Sequence, residues 1–208
     1  MERGISIIKN VIFDIGGVLL EYNPMDYLRK HYDADKTDLF MKGVYNSREW
    51  LDADRGLIDF NDLYDIFVDK LPEWQDDIKK LISRESLLGI LTPKQDSIDF
   101  MYELKTAGYK VFLLSNFSKT GFGWMDEAYP FLKDVDGRII SSYVNLIKPD
   151  PAIYKLLFAR YAIEPAESVF FDDMAANVEA AGQLGVKAVL FTDIESCRRQ
   201  FKQMIKDF

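Results

Sequence analysis

Four short apolar segments, separated by helix-like stretches, constrain the fold of this chain more than any other feature. They are rich in β-branched and aromatic residues and lie at positions 7–13, 109–114, 168–171 and 186–191. Each has the length of a central strand that is buried on both faces. Stretches of helical periodicity lie among them, at 94–107, 150–162 and 175–184. This alternation predicts an α/β fold with a parallel sheet that is covered by helices on both faces.

The stretch from residue 22 to residue 90 has no convincing strand and has a helical pattern instead. Helix-period segments lie at 25–31, 36–42, 59–71 and 73–88. An all-helical insert after the first strand predicts a cap over the carboxyl ends of the strands, although an ordinary helical subdomain would pack in the same way. We therefore divide the chain into a core domain of residues 1–20 and 92–208 and a helical cap domain of residues 21–91.

Composition excludes several classes of function. The chain has 26 basic and 34 acidic residues, and its net charge of -8 argues against nucleic acid or an anionic membrane surface as a partner. A single cysteine, Cys197, and a single histidine, His31, exclude structural zinc, a disulfide framework and Cys–His catalysis. Because no segment approaches the length of a membrane span, we expect a cytoplasmic protein, either a monomer or a homodimer.

Carboxylates follow two of the apolar segments directly. Asp14 comes after the first segment, and Asp172 and Asp173 come at the end of the third. Adjacent parallel strands would bring Asp14 and Asp173 to one edge of the sheet, where two carboxylates repel each other unless a hard cation such as Mg2+ joins them. Asp172 and Asn177, one helical turn further on, are placed to hold the water molecules that such an ion coordinates.

Other polar or flexible residues stand at corresponding positions. Gly16 and Gly17 allow a sharp turn and a close approach of the backbone to a ligand. Ser115 and Asn116 end the second segment with a hydroxyl and backbone N–H groups that suit phosphate oxygens. Lys148, before a proline that opens a helix, supplies a compact charge to offset a phosphoryl group and the aspartates. Each feature alone has a structural explanation, but their combination favours a phosphate site.

Four segments in this order resemble the four motifs of the haloacid dehalogenase (HAD) superfamily, specifically its phosphatases with a helical cap after the first motif. The segments are residues 13–19, 113–116, 148–150 and 171–177. The resemblance implies a Rossmann-like core with an inserted α-helical cap and a Mg2+-dependent phosphatase. It also implies a small phosphorylated metabolite as substrate, with a sugar phosphate favoured, because similar glycine-containing first motifs occur in a branch resembling glucose-1-phosphate phosphatase.

The same resemblance implies roles for individual residues. Asp14 would be the nucleophile and would form an aspartyl-phosphate that water hydrolyses. Mg2+ would lie between Asp14, the backbone carbonyl of Gly16 and Asp173. The phosphate would be held by three groups: Ser115, the Asn116 amide and Lys148.

Gly16 departs from the family pattern, in which a second aspartate protonates the leaving oxygen and later activates water. Such general acid–base help accelerates a reaction by roughly 10²–10⁴-fold. Without it, the enzyme would favour leaving groups that depart easily, or it would use a proton donor from the cap or the substrate. The cap segments 48–50 and 52–56 are where we expect a substitute for this aspartate.

Two other functions are compatible with the same residues. A metal-independent 2-haloacid dehalogenase uses the same aspartate nucleophile and needs no second acid, but Asp172 and Asp173 would then add unneeded charge to its site. A catalytically weakened phospho-ligand binder would also explain Gly16. The retention of Asp14, Lys148 and Asp173 argues against such a binder, because a cluster of buried charges is costly to maintain.

Overall fold

The computed structural model describes residues 8–206, and its centre is a five-stranded parallel sheet. A two-stranded antiparallel ribbon lies outside this sheet. The strands are β1 Asn10–Phe13, β2 Leu20–Tyr22, β3 Leu91–Pro93, β4 Lys110–Ser115, β5 Gly137–Ile140, β6 Ser168–Asp172 and β7 Lys187–Leu190. The sheet order is β5-β4-β1-β6-β7, so β1 is central, with Phe13 paired to Leu113 on one side and Phe171 on the other. The predicted α/β fold with a parallel sheet is confirmed.

All four predicted strands are present, and two elements of β-structure were missed. Residue 7, in the first predicted segment, lies outside the described residues, as do the other residues of 1–7 and 207–208 in the predicted core domain. Strand β5 was missed because its sequence, Gly-Arg-Ile-Ile, has only two apolar residues in a row, Ile139 and Ile140, directly after an arginine. The β2–β3 ribbon was missed because each of its strands has three residues, of which one is buried.

Helices cover both faces of the sheet and form the insert. The core helices are α7 Gln95–Thr106, α8 Lys119–Ala128, α9 Ser141–Val144, α10 Pro151–Tyr161, α11 Ala175–Gln183 and α12 Ile194–Lys206. The insert contains α1 Pro24–His31, α2 Ala34–Phe40, α3 Arg48–Arg55, α4 Phe60–Lys70, α5 Gln75–Leu81 and α6 Arg84–Gly89. A π-helical segment, Met41–Tyr45, continues α2. Across residues 8–206, no helix combines the length and the apolar composition needed to cross a membrane.

Two helix predictions are corrected by the structure. The pattern at 73–88 is divided between α5 and α6, because the Ser83 side chain accepts the Ser86 N–H and starts a new helix. Lys148 does not stand at the start of a helix. Helix α10 begins at Pro151, where the Asp150 side chain accepts the Ala152 N–H.

The helical insert leaves and rejoins the core through the β2–β3 ribbon, in which Leu20 pairs with Pro93. A helical insertion after the first strand is therefore confirmed. The predicted boundary between core and cap passes through this ribbon, and the division into residues 1–20 with 92–208 and residues 21–91 remains a prediction.

Alternate side chains of β1 are buried in different hydrophobic layers, which explains why its sequence is apolar throughout. Val11 and Phe13 belong to one buried cluster, and Ile12 belongs to the cluster on the other face. Phe13 stacks on Phe171 with ring centroids 5.3 Å apart, and Phe100 contacts both rings edge-on. These aromatic contacts fix the two central strands against each other just before they end.

We expect Phe100→Ala to lower the free energy of unfolding by about 3–5 kcal/mol, because it leaves a cavity beside two buried rings. Urea denaturation followed by circular dichroism measures this change. The control is Tyr102→Ala on the same helix, where an exposed ring is removed and a loss of about 1 kcal/mol or less is expected. Equal losses in the two variants would contradict the packing argument.

Candidate active site

Three carboxylates meet where the central strands end. Asp14 follows β1, Asp172 is the last residue of β6, and Asp173 comes next. One oxygen of each lies within 4.8 Å of the others. The Asp14 N–H donates to the Phe171 carbonyl at 2.9 Å, so the parallel pairing of β1 with β6 brings the acids together. The structure thus places Asp14 and Asp173 at one edge of the sheet, together with Asp172.

Lys148 bridges two of these carboxylates. Its Nζ lies 2.8 Å from Asp14 Oδ1 and 2.7 Å from Asp172 Oδ2. The lysine is buried, as are both of these acids, whereas Asp173 is exposed. The cluster therefore contains three acidic groups and one ammonium group, and its open side is the side of Asp173.

Burial changes the proton affinities of this cluster. It raises the pKa of Asp14 to about 7, although the nearby Lys148 ammonium and the Ile15 N–H act in the opposite direction. Burial and the neighbouring Asp172 also raise the pKa of Asp173. Burial alone would lower the pKa of Lys148, but the two carboxylates outweigh it and raise that pKa, so the lysine stays charged. One ammonium group is thus too little positive charge for three acids, and the oxygen ligands suit a hard cation such as Mg2+.

Asp172 is held by neighbours rather than being open to a ligand. Asn177 Nδ2 donates to both of its carboxylate oxygens, at 2.9 and 3.1 Å, and the Met174 N–H donates to one of them at 2.8 Å. Tyr154 in turn donates to the Asn177 carbonyl at 3.0 Å. Asp172 and Asn177 therefore form a support behind the other two acids.

Asn116 has a role that the sequence did not reveal. Its side-chain nitrogen donates to the Lys148 carbonyl at 3.0 Å, and its side-chain oxygen accepts the Lys148 N–H at 2.9 Å. These two bonds fix the backbone of Lys148 in a loop outside any helix. Ser115, also predicted in the site, is buried at the end of β4.

The Gly16–Gly17 turn packs closely against the third acid. Gly17 has φ +71°, which favours glycine, and a Cβ at this position would lie 2.1 Å from Asp173 Oδ2, so a side chain there would displace the Asp173 carboxylate. A Cβ on Gly16 would have its nearest neighbour at 4.0 Å, the Cβ of Tyr22. Lys94 Nζ donates to the Gly17 carbonyl at 2.8 Å, which ties this turn to the end of the ribbon. Lys94 was missed, because a lone lysine after a three-residue strand is usually a surface cation.

We expect Lys148→Met to lower the free energy of unfolding by about 3–5 kcal/mol at pH 8 without divalent ions, because it leaves two buried carboxylates unpaired. Urea denaturation measures this loss. Lys155→Met, at an exposed position of α10, is the matched control and should change stability by about 0.5 kcal/mol or less. A similarly small effect at Lys148 would show that the buried carboxylates do not need its charge.

Comparison with known proteins places this geometry in a family. A model of the haloacid dehalogenase-like hydrolases matches residues 8–185. A sesquiterpene phosphatase from Aspergillus oryzae is 26% identical over 197 residues, covering 95% of this chain and 96% of the relative. A D-ribitol-5-phosphate phosphatase from Bacteroides thetaiotaomicron is 25% identical over 197 residues, covering 86% of this chain and 89% of the relative.

A solved structure has the same fold. It is a HAD family enzyme from Bacteroides thetaiotaomicron in complex with magnesium and inorganic phosphate, with a TM-score of 0.72 and 22% sequence identity. The match covers 88% of this chain and 93% of that enzyme. The family model, which spans most of the chain, decides the assignment: this protein is a member of the haloacid dehalogenase-like hydrolases.

Proposed function

We propose that this protein is a Mg2+-dependent phosphatase that hydrolyses a small phosphomonoester through an aspartyl-phosphate on Asp14. One observation carries this proposal: the Asp14 carboxylate lies 2.8 Å from a buried ammonium group, beside two further carboxylates, at the ends of parallel strands. A nucleophilic oxygen, a cation for the phosphoryl group and ligands for a metal ion are therefore adjacent.

The proposed roles are those that the family resemblance implies, and the positions of Asp14, Lys148 and Asn116 support them. An Asp14 oxygen attacks phosphorus and forms the aspartyl-phosphate, which water then hydrolyses. Lys148 holds a phosphoryl oxygen, and Asn116 keeps the lysine backbone in place. Ser115 and the Asn116 amide hold further phosphoryl oxygens, and Gly16 and Gly17 let the backbone approach the ligand.

The residues that would hold Mg2+ are Asp14, the Gly16 carbonyl and Asp173, with Asp172 and Asn177 behind them. Packing of Asp173 Oδ2 against Gly17 brings its carboxylate next to the turn that carries the Gly16 carbonyl. Bound there, Mg2+ would offset the negative charge of the carboxylates and polarise a phosphoryl oxygen. The magnesium and phosphate in the Bacteroides thetaiotaomicron enzyme support this assignment.

We propose a sugar phosphate as the substrate. Two observations support it: the glycine at position 16, as in the glucose-1-phosphate phosphatase branch, and the similarity to a ribitol-5-phosphate phosphatase. The similarity to a sesquiterpene phosphatase makes a prenyl phosphate the main competing substrate. Comparing kcat/KM for glucose-1-phosphate, ribitol-5-phosphate and farnesyl phosphate separates these possibilities.

A dehalogenase and a phospho-ligand binder are less consistent with the site. Displacement of halide from carbon needs no metal ion, so the placement of Asp14 and Asp173 where they could hold one favours a phosphatase over a dehalogenase. A binder would have no need for a carboxylate in contact with the lysine that holds the phosphate.

We expect Asp14→Asn to abolish phosphate release from p-nitrophenyl phosphate in the presence of Mg2+, with a loss of at least about 10³-fold, because the nucleophile is removed. Chelation by EDTA should abolish the activity of the unmodified protein, and added Mg2+ should restore it. The measurement is phosphate release at saturating substrate.

Asp69→Asn, a change of the same kind on cap helix α4, is the control and should keep full activity. Chloride release from 2-chloropropionate that persists in EDTA would instead identify a dehalogenase. Absence of both activities, with phosphate still bound, would identify a binder.

A further inference from the structure

The proposed mechanism lacks a proton donor for the leaving oxygen, because position 16 is a glycine. Gly16 does not have a positive φ, and a Cβ there would meet nothing closer than Tyr22 at 4.0 Å. There is therefore room for a side chain at position 16, and the space beside this glycine is not filled by a neighbouring group. Tyr22 is the nearest side chain to this space.

We propose that Asp54, on cap helix α3, supplies the general acid and base that position 16 lacks. This inference rests on the proposed phosphatase function and adds to it a catalytic residue from the cap. It also explains how a member of this family could act on ordinary alkyl phosphates without an aspartate in the first motif.

Asp54 contacts the loop that carries the phosphate-binding residues. Its carboxylate accepts the backbone N–H of Ser118, three residues after Ser115. Its backbone carbonyl accepts the hydroxyl of Ser141, and the same hydroxyl accepts the Phe117 N–H at 2.9 Å. The end of α3 is thus bonded to the loop after β4, beyond the strand end that lies next to Asp14.

Contacts between Gly56 and the segment around α9 also fix the end of α3. Gly56 ends the helix with φ +82°, and a Cβ at this position would lie 2.4 Å from the Ser142 carbonyl. Asn145 Nδ2 donates to the Gly56 carbonyl at 3.0 Å. These contacts hold the insert on the core two residues after Asp54. A proton donor needs such a fixed position to act on a bound substrate.

Asp54 and position 16 share a neighbour. Asp54 is one of the charges that raise the pKa of Tyr22, and Tyr22 is the side chain that a Cβ on Gly16 would face. The Asp54 carboxylate and the space beside Gly16 are therefore both neighbours of the Tyr22 side chain. A pKa well above 10 makes the Tyr22 phenol a poor proton donor by comparison.

Asp54 differs from the other acids of its helix. Glu49 pairs with Lys70 at 2.6 Å and Asp52 with Arg48 at 3.5 Å, whereas no ion pair to Asp54 occurs among residues 8–206. Burial raises the pKa of Asp54 to about 7, although the Ser118 N–H opposes this. A carboxyl group with a pKa near neutrality can both donate and accept a proton.

Asp54 acts in both chemical steps. In the first, a bond forms between Asp14 and phosphorus, the bond from phosphorus to the leaving oxygen breaks, and that oxygen takes a proton from the Asp54 carboxyl group. In the second, the Asp54 carboxylate removes a proton from water, whose oxygen bonds to phosphorus as the bond to Asp14 breaks. Asp54 ends each cycle protonated, as it began.

The test compares Asp54→Asn with the unmodified protein on an alkyl phosphate (ribitol-5-phosphate) and an aryl phosphate (p-nitrophenyl phosphate). We expect kcat on the alkyl phosphate to fall about 10²–10⁴-fold, because an alkoxide is a poor leaving group. The pre-steady-state release of p-nitrophenolate should stay within about tenfold, since this leaving group needs no proton. Asp52→Asn is the matched control on α3 and should leave both rates unchanged.

A second variant keeps the test decisive if Asp54→Asn folds poorly. Gly16→Asp restores the aspartate of the family pattern, so it should rescue alkyl phosphate hydrolysis in Asp54→Asn by at least about tenfold. In the unmodified background it should add less than about tenfold, because a proton donor is already present. A gain of about 10²-fold or more there would overturn the inference.

The outcomes separate this inference from the proposed function. If the unmodified protein releases no phosphate with Mg2+, the proposed function fails. If it is active and Asp54→Asn keeps its rate on the alkyl phosphate, only the role of Asp54 is overturned. Equal losses on both substrates without rescue by Gly16→Asp would also overturn it, since they would indicate a purely structural role.

Discussion

The contact of Lys148 with both Asp14 and Asp172 is the interaction on which the site depends. Parallel pairing of β1 with β6 brings their terminal acids together regardless of function, and two buried carboxylates at this separation repel each other strongly. The ammonium group of Lys148 lies between them. The side chain of Asn116, which directly follows β4, holds the Lys148 backbone in place. Lys148 therefore contacts residues at the ends of three neighbouring strands, β1, β4 and β6.

The aromatic layer below explains how this arrangement of charges can be kept rigid. Phe13 and Phe171 immediately precede the acids, and their rings stack beneath the site against Phe100. Apolar packing of this kind fixes the strand ends at the distance that the ion pairs need, so the charged groups do not have to order themselves. The continuous apolar sequence of the strands and the acids that follow them are thus one structural unit.

The sequence predicted the parallel sheet and the helical insert from local patterns, and it predicted the convergence of the acids because carboxylates directly follow two strands of that sheet. Strand β5 and the β2–β3 ribbon escaped prediction because their few apolar residues stand beside charged or polar ones and show neither a continuous run nor a period. The hydrogen bond from Asn116 to Lys148 joins residues that are 32 positions apart, and the bond from Lys94 to Gly17 joins residues that are 77 positions apart. No local sequence pattern indicates either bond. The residue types and their order indicated which side chains lie in the site. Only the tertiary structure shows which of these side chains bond to one another.

With Asp54 as the proton donor, the helical cap takes part in the chemistry of the active site. In a site whose acid follows the nucleophile on the same turn, the two groups keep their distance whether or not the cap is closed. Here the nucleophile belongs to the core and Asp54 to α3, so their distance depends on the contacts with Ser118 and Ser141 that join cap and core. Separation of cap and core would leave Asp14 beside Lys148 but would remove the proton donor. Chemistry on a poor leaving group would then require the closed arrangement, which links catalysis to the exclusion of water.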